Sequence, residues 1–125
     1  MLTEDQRLQV VESLLESHRT KVQGMRPSEM FPEIELADSY AISTLVAERR
    51  KAEGRRVVGH KIGLTSKAMQ ASSKIDEPDF GYLFDDQVLQ DGAKVPFDAF
   101  CVPRVEPELT FILKEPLKGP GIGLV

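Results

Sequence analysis

The sequence has little of the residues that mark several classes of protein. It contains no tryptophan, two histidines and one cysteine among 125 residues. With a single cysteine, Cys101, the chain cannot form an internal disulfide, so a reducing compartment, the cytoplasm, is expected. We expect the Cys101 thiol to be buried as a small apolar side chain, because free cysteine usually packs in this way.

Basic charge and long apolar runs are scarce as well. Sixteen lysines and arginines stand against twenty acidic residues, which gives a formal net charge of −4. Since phosphate binding requires a basic surface, nucleic acid is not expected as a partner. No apolar run is long enough to span a bilayer, and the start of the chain, MLTEDQRLQVVESLLESH, is acidic and amphipathic, unlike a signal peptide. The chain is expected to be one domain or a piece of a larger protein.

The first half of the chain carries helix signals. Residues 3–6, Thr-Glu-Asp-Gln, form a capping box, and apolar residues follow at helical spacing. After a connection that contains two prolines, a second helix is predicted to begin between residues 35 and 38 and to stop at Gly54. The basic residues 49–51 in its last turns are interpreted as a solvated face that complements the helix dipole.

The second half carries strand signals. Residues 56–64 alternate and are rich in β-branched side chains, which predicts a strand. A short helix capped by Thr65 or Ser66 follows. Further extended segments are predicted over residues 83–89, 93–97 and 99–113, with a hairpin turn at Asp91-Gly92. The two halves together predict an α+β fold.

Two glutamates in the stretch RVEPELTFIL, residues 104–113, form a candidate cation site. Strand alternation puts Glu106 and Glu108 on one face, about 6.5 Å apart along the backbone. Carboxylates at this spacing can converge on one hard cation such as Mg²⁺. Two glutamates on the solvent face of an antiparallel strand are the alternative. Pro107 cannot donate to a ladder and therefore predicts a sheet edge or a bulge.

A lysine stands where the pattern of residues 56–64 favours an apolar side chain. Lys61 lies between Gly59 and Gly63 on one face, and glycine in a strand often marks close approach by a ligand. The lysine can bind a carboxylate or exchange protons if its pKa is lowered, or it can simply extend to solvent. His60, on the opposite face, is interpreted as a hydrogen-bonded core histidine, and Asp79 as a turn-forming residue.

Four stretches of the sequence together resemble the fumarylacetoacetate hydrolase superfamily. They are GHKIGLTSKAMQ (59–70), EPDFGYLFDD (77–86), PRVEPEL (103–109) and PLKGPG (116–121). The resemblance is to the branch of hydratases that act on 2-oxohept-3-ene-1,7-dioate in the catabolism of aromatic compounds. It covers most of the chain and extends to the 2-oxopent-4-enoate hydratases and the 4-oxalocrotonate decarboxylases, in which an apolar residue is expected at the position of His60.

The resemblance implies a metal site and a catalytic lysine. Mg²⁺ or Mn²⁺ would be bound by Glu106 and Glu108, with a third acidic ligand beyond the end of the chain. Lys61 and Asp79 would be the catalytic residues. Family members usually have a small or β-branched residue between the two glutamates, where this sequence has Pro107.

The resemblance also implies the architecture. N-terminal helices and a small mixed sheet, residues 1–82, would lead into a mixed β-roll catalytic domain that begins with residues 83–125. Family chains are longer, so the chain is expected to be the amino-terminal part of a hydratase and to be inactive alone.

The activity implied by the resemblance is metal-dependent hydration of a 2-oxo-enoate or 2-hydroxydienoate. The product from 2-oxohept-3-ene-1,7-dioate would be 4-hydroxy-2-oxoheptanedioate. The partners expected are a small dicarboxylate substrate and further copies of the chain, with no nucleic acid and no membrane. The alternatives are 2-oxopent-4-enoate hydration, 4-oxalocrotonate decarboxylation, or an inactive chain that serves as a structural subunit.

Overall fold

The computed structural model describes residues 1–123, in which helices precede a small sheet. Helices α1 (Glu4–Thr20), α2 (Pro27–Met30) and α3 (Leu36–Ala52) come first, and strand β1 (Val57–Gly63), helix α4 (Lys67–Ser73) and strand β2 (Asp79–Phe84) follow. Two 3₁₀ turns lie at Asp85–Gln87 and Phe97–Ala99. The α+β class expected from the sequence is confirmed. The segment expected to open the second domain includes Leu124 and Val125, which lie outside the described residues.

The ends of the long helices are where the sequence predicts them. The Thr3 hydroxyl accepts a hydrogen bond from the Gln6 amide at 3.3 Å, and the Gln6 side chain accepts one from the Thr3 amide at 2.8 Å. This reciprocal pair satisfies two donors that would otherwise be unpaired at the start of α1. Helix α3 ends two residues before Gly54, whose φ of 91° is a conformation that favours glycine.

The core lies between α1 and α3. Leu2, Val10, Val11 and Ile42 are buried together. Partly buried side chains from all three N-terminal helices and their connections surround this cluster: Leu15, Met30, Phe31, Ile34, Leu45 and Val46. Because the apolar side chains of each helix lie on one stripe, the two long helices bury them against each other.

A buried carboxylate ties the N-terminus to α3. Asp38 is fully buried and accepts hydrogen bonds from the backbone amides of Leu2 (3.0 Å) and Glu35 (3.1 Å). The guanidinium of Arg7 donates to it twice, at 3.0 and 2.7 Å. Four donors therefore satisfy one buried charge, as a carboxylate removed from water requires.

The strands β1 and β2 form a two-stranded antiparallel sheet, where a small mixed sheet was expected. In its register Lys61 lies opposite Gly81, and Gly63 lies opposite Asp79. One face of the sheet packs towards α3, because the ring of Phe80 stacks on that of Tyr40 with centroids 5.1 Å apart.

The strands expected beyond β2 are absent from the described residues. A turn does form near Asp91-Gly92, with Gly92 at a φ of 76°, but no ladder flanks it. Residues 99–113, expected as the longest strand, contain no strand, and Val105 and Leu109 are more than 90% exposed. The alternating pattern specifies two faces but supplies no partner backbone, and a strand without a partner has no ladder of hydrogen bonds.

Two side chains are placed differently from expectation. The Cys101 thiol is exposed and lies 3.3 Å from the carbonyl oxygen of Ser17, so the prediction of a buried thiol was wrong. Arg50 is buried, although the basic run of α3 was interpreted as solvated. Between Met1 and Gly123, the structure shows no helix with the length and hydrophobicity that crossing a membrane requires.

Candidate active site

Lys61 and the two glutamates meet at one side of the sheet. The Lys61 ammonium lies 3.1 Å from a carboxylate oxygen of Glu106 and 2.5 Å from one of Glu108. All three side chains are about half exposed, so the cluster is open to a ligand from solvent. The residues proposed from the sequence as a cation site and as a catalytic lysine are therefore neighbours in space.

Three glycines adjoin Lys61 on its face of the sheet. Residues that lie directly opposite in an antiparallel pair share a face, so Gly59, Gly63 and Gly81 all surround Lys61. A Cβ atom placed on Gly81 would meet no other atom within 4 Å. The residue directly opposite Lys61 and the residues two positions before and after it in β1 therefore have no side chain.

The chain turns sharply at the end of β1, close to Lys61. Leu64 has a φ of 53°, which an L-residue adopts at some cost in energy. The buried side chain of Gln70 donates a hydrogen bond to the Leu64 carbonyl at 2.7 Å and holds this conformation. Ser66 caps α4 by accepting from the Met69 amide, as predicted, and so places Gln70 one turn into the helix.

The start of β1 is fixed by a second set of contacts. The Asp85 carboxylate accepts from the Arg56 amide at 3.1 Å and from its guanidinium at 3.0 Å, while the Asp85 amide donates to the Arg56 carbonyl at 2.9 Å. Since both ends of the strand are held in this way, the register that presents Lys61 is well specified.

The charge on Lys61 is stabilised by its partners. The hydrogen bond to Glu108 raises the pKa of Lys61 above its ordinary value, and the hydrogen bond to Glu106 adds to this effect. The lysine is therefore a cation at neutral pH in this arrangement. As a cation it can stabilise negative charge on a ligand, whereas action as a base requires a lowered pKa.

Asp79 lies in β2, and its interpretation as a turn residue was wrong. It is opposite Gly63 and therefore on the same face as Lys61, one register pair along the sheet. A Cβ atom on Gly63 would collide with the Asp79 carboxylate, so the glycine is what permits the aspartate to lie over β1. Alternation in DFGYLF was the signal that could have identified this strand.

His60 belongs to the opposite face. It is exposed, and its ring lies 5.2 Å from that of Tyr82 and 5.8 Å from that of Phe80, measured between centroids. The expectation of a core histidine was therefore wrong, because an aromatic cluster holds the ring at the surface.

Glu106 and Glu108 are the side chains best suited to hold a divalent metal ion. Their oxygens are the hard ligands that Mg²⁺ and Mn²⁺ prefer, and the Lys61 ammonium shows that one cation can contact both carboxylates. Within residues 1–123, no group of three or more histidine, cysteine, aspartate or glutamate side chains is arranged to bind a metal. The two carboxylates thus fit the metal as a partial set of ligands.

Comparison with characterised enzymes identifies relatives of the chain. The 2-oxo-hept-4-ene-1,7-dioate hydratase of Escherichia coli is 54% identical over 94 residues, which are 75% of this chain and 35% of the relative. The 2-hydroxypent-2,4-dienoate hydratase of Pseudomonas putida is 47% identical over 91 residues, 72% of this chain and 41% of the relative. No family model matches the sequence.

Solved structures of one enzyme have a similar fold. The 4-oxalocrotonate decarboxylase of Pseudomonas putida G7, complexed with calcium and acetate, superposes with a TM-score of 0.67 at 31% identity. The match covers 69% of this chain and 33% of the decarboxylase. A second structure of that enzyme, complexed with magnesium and adipate, gives a TM-score of 0.66.

The chain spans about a third to two fifths of the length of these relatives. Their names cover hydratases of 2-oxo- and 2-hydroxy-alkenoates and a decarboxylase, the same branches that the motifs around Lys61 and Glu106 resemble. The chain is therefore related to these enzymes, and its resemblance to the fumarylacetoacetate hydrolase superfamily is confirmed.

Proposed function

We propose that the protein adds water to a 2-oxo-alkenoate, using Lys61, Glu106 and Glu108. The observation that carries the proposal is the convergence of Lys61, which lies between glycines in the sheet, with two carboxylates, of which Glu108 is 47 residues away along the chain. One cationic and two anionic groups of this kind can bind a metal, a 2-oxo acid and a transferring proton in one place. The relatedness to hydratases supports this use of the site.

Glu106 and Glu108 would hold Mg²⁺ or Mn²⁺ as two of its oxygen ligands. When bound, the metal supplies Lewis-acid polarisation of the 2-oxo carbonyl, which makes the conjugated C4 electrophilic. With the glutamate charges offset in this way, Lys61 would be released from its ion pairs with Glu106 and Glu108. The ammonium of Lys61 is then free to face the substrate.

Lys61 would stabilise the negative charge that develops on the 2-oxo oxygen as water adds. Water supplies the hydroxyl at C4 and a proton at C3, which gives a 4-hydroxy-2-oxo acid. The ammonium of Lys61 suits this role, because a lysine side chain is a cation at neutral pH. Asp79, on the same face, is proposed as the group that orients or deprotonates the water.

The substrate that we propose is 2-oxohept-3-ene-1,7-dioate. The Escherichia coli relative is named for the 4-ene isomer. The two isomers share one dienol tautomer, 2-hydroxyhepta-2,4-dienedioate, so both can give the same hydrated product, 4-hydroxy-2-oxoheptanedioate. The shorter 2-oxopent-4-enoate lacks the distal carboxylate and is the alternative substrate for hydration.

Decarboxylation of 4-oxalocrotonate is the second candidate activity. It is favoured by the similarity to a decarboxylase that has been solved with a divalent metal and a carboxylate. The same metal and lysine would then stabilise the charge left when CO₂ departs. His60 stands against this candidate, because an apolar residue is expected there in the decarboxylases.

The wider organisation of the protein remains a prediction. We propose the division into residues 1–82 and a domain that begins with residues 83–125, and a β-roll for that second domain. A cytoplasmic homo-oligomer is proposed as well. The exposed apolar side chains Leu109, Phe111 and Ile112 support this organisation, since exposed apolar surface marks a site where other protein segments pack.

The test is an assay of the intact protein with Mg²⁺ on a panel of four substrates. Both heptenedioate isomers, 2-oxopent-4-enoate and 4-oxalocrotonate are supplied separately, and hydrated product and CO₂ are measured in each reaction. We expect hydration of the heptenedioates at the highest kcat/KM. Release of CO₂ from 4-oxalocrotonate without hydration would establish the decarboxylase, and no turnover of any substrate would favour a structural subunit.

A further inference from the structure

The carboxylate of Asp79 lies against strand β1, in the space where Gly63 has no side chain. The two residues are directly opposite in the register of the sheet. A Cβ atom built on Gly63 would clash with a carboxylate oxygen of Asp79 and lie 3.2 Å from its carboxyl carbon. The glycine on the other side of Lys61 differs, because a Cβ atom on Gly59 would meet only Leu83 within 4 Å, at an ordinary contact distance of 3.9 Å. A charged group therefore fills the space left by Gly63 and not that left by Gly59.

The backbone conformation does not require glycine at residue 63. Gly63 is not among the glycines with a positive φ, so an alanine there would not strain the main chain. A glycine within a strand is less favourable than an alanine, because it loses more conformational freedom on folding. Another feature must therefore offset the cost of Gly63, and the contact with Asp79 is such a feature.

The end of the sheet at which Gly63 and Asp79 meet is held by Gln70. Its buried side chain donates a hydrogen bond to the Leu64 carbonyl at 2.7 Å, which fixes the chain just after Gly63. Its backbone carbonyl accepts a hydrogen bond from the Ile75 amide at 3.1 Å, on the segment that leads into β2. Because one residue of α4 contacts the chain both after β1 and before β2, the backbone beneath the Asp79 carboxylate is held in place.

The Asp79 carboxylate is not engaged by the cation on its own face of the sheet. The Lys61 ammonium contacts Glu106 and Glu108 instead. Asp79 is exposed, and within the described part of the chain no ion pair involves it. Its oxygens are therefore open to water or to a ligand that approaches this face.

We propose that Gly63 is a positioning residue for Asp79, which keeps the carboxylate against β1, on the face of Lys61 and open to water. The inference rests on the role proposed for Asp79 in hydration, that of orienting or deprotonating the attacking water. Gly63 acts through the carboxylate, because a methyl group at residue 63 would displace it from β1. A displacement of about 1 Å in reacting groups can lower a rate by about 10²-fold.

The experiment is a double-mutant cycle in the intact protein, with Gly63→Ala, Asp79→Ala and the combined variant. For each protein, kcat and KM are measured for hydration of 2-oxohept-3-ene-1,7-dioate, and the melting temperature is measured without substrate. Gly59→Ala is the matched control in both backgrounds, because it adds the same methyl group two residues from Lys61 on the same face. A change that acts through another residue is not additive with the removal of that residue.

The kinetic cycle tests whether Gly63 acts through Asp79. Gly63→Ala should lower kcat by about tenfold or more and leave KM within about threefold. In Asp79→Ala the same substitution should change kcat by less than about twofold, because the group that it displaces is gone. Gly59→Ala should stay within about twofold of its parent in both backgrounds. Additive losses from Gly63→Ala and Asp79→Ala, or an equal loss in Gly59→Ala, would overturn the proposal.

The melting temperature tests the contact without reference to activity. In Asp79→Ala, the substitution Gly63→Ala should raise the melting temperature by about 1–4 °C, the gain expected when a strand glycine is replaced. With Asp79 present this gain should disappear or reverse, because the carboxylate must move. Gly59→Ala should cause the same change in both backgrounds. An equal change from Gly63→Ala in the two backgrounds would show that the contact with Asp79 does not form.

The two measurements separate failure of this proposal from failure of the proposed function. Full hydration by Asp79→Ala would contradict the catalytic role of Asp79 and the loss of rate expected here, while the melting temperatures would still decide whether Gly63 positions the carboxylate. If Gly63→Ala fails to fold and the combined variant folds, the clash is confirmed. If neither folds, the backbone itself requires glycine at residue 63 and the proposal is wrong.

Discussion

The N-terminal helices and the segment that carries the glutamates are held in opposite ways. Helices α1 and α3 share a buried apolar cluster and a buried ion pair between Arg7 and Asp38. Residues 104–113 have no regular structure. At the candidate site they contact the sheet through exposed ion pairs of Glu106 and Glu108 with Lys61. Burial therefore builds the scaffold, whereas the candidate site depends on charges that a ligand can rearrange.

The largest effect is expected from removing either glutamate. Glu106→Ala or Glu108→Ala should lower both Mn²⁺ affinity and hydration rate by at least about 10²-fold, because even residues that only support metal ligands are worth 10–100-fold. Metal binding is measured by electron paramagnetic resonance of Mn²⁺, and hydration by product formation in the intact protein.

Glu115→Ala is the matched control, since it removes an exposed glutamate from the same part of the chain. It should leave both quantities unchanged. Full metal affinity in Glu106→Ala and Glu108→Ala would contradict the metal site, whatever happened to the activity.

Replacing the lysine should separate chemistry from metal binding. Lys61→Met should lower kcat by about 10²–10⁴-fold, the range for groups that transfer protons. Metal affinity should be retained, because the carboxylates remain and lose only a competing cation. Turnover within a few-fold of wild type would show that Lys61 is a surface residue without a role in the reaction.

The helical half should be broken by a single change at its buried charge. Asp38→Ala leaves Arg7 and two backbone amides without their acceptor, so the melting temperature should fall by on the order of 10 °C. Glu35→Ala is the control at the exposed cap of the same helix and should change it by a few degrees at most. Equal shifts in the two variants would contradict the importance of the buried ion pair.

The same carboxylate predicts a dependence of stability on pH. Burial alone would raise the pKa of Asp38, but the hydrogen bonds from Arg7, Glu35 and Leu2 lower it overall. A carboxyl group with a lowered pKa stabilises the fold above its unfolded pKa of about 3.9, and this stabilisation is lost as the pH falls through the folded pKa. Urea unfolding between pH 5 and 2 should show this loss in wild type and a flatter curve in Asp38→Asn.

Local signals predicted the two long helices, β1 and α4, but neither α2 nor the irregular structure of the residues after β2. The capping box at residues 3–6 marks the start of α1, and Gly54 lies two residues after the end of α3. The burial of Arg50 and the strand position of Asp79 depend on residues distant in the sequence. The side-chain pattern of one strand does not specify which other strand it pairs with.

The residues of the candidate site could be identified from the sequence, but the contact between them could not. Lys61 between glycines and the pair Glu106 and Glu108 were conspicuous in the sequence, and the family resemblance gave them roles. Their direct ion pair spans 47 positions and appears only in the folded chain. The unexpected consequence is that Lys61 occupies the place of the cation that the glutamates were predicted to bind.

The smallest effect is expected from salt, which should loosen the glutamate segment and spare the helices. Raising the ionic strength from about 0.01 M to about 1 M shortens the Debye length from about 30 Å to about 3 Å. The exposed contacts of Lys61 with Glu106 and Glu108 should weaken, whereas the buried pair of Asp38 should not. Trypsin cleavage after Arg104 and Lys114 should accelerate by about fivefold or less, with the melting temperature within about 2 °C.

Lys61→Met, digested in the same two buffers, corrects for the effect of salt on trypsin and should lack the acceleration. Equal acceleration of cleavage by salt in wild type and Lys61→Met would show that these charges do not hold the segment. A melting temperature that falls as cleavage accelerates would show that salt affects both regions, and the contrast between them would fail.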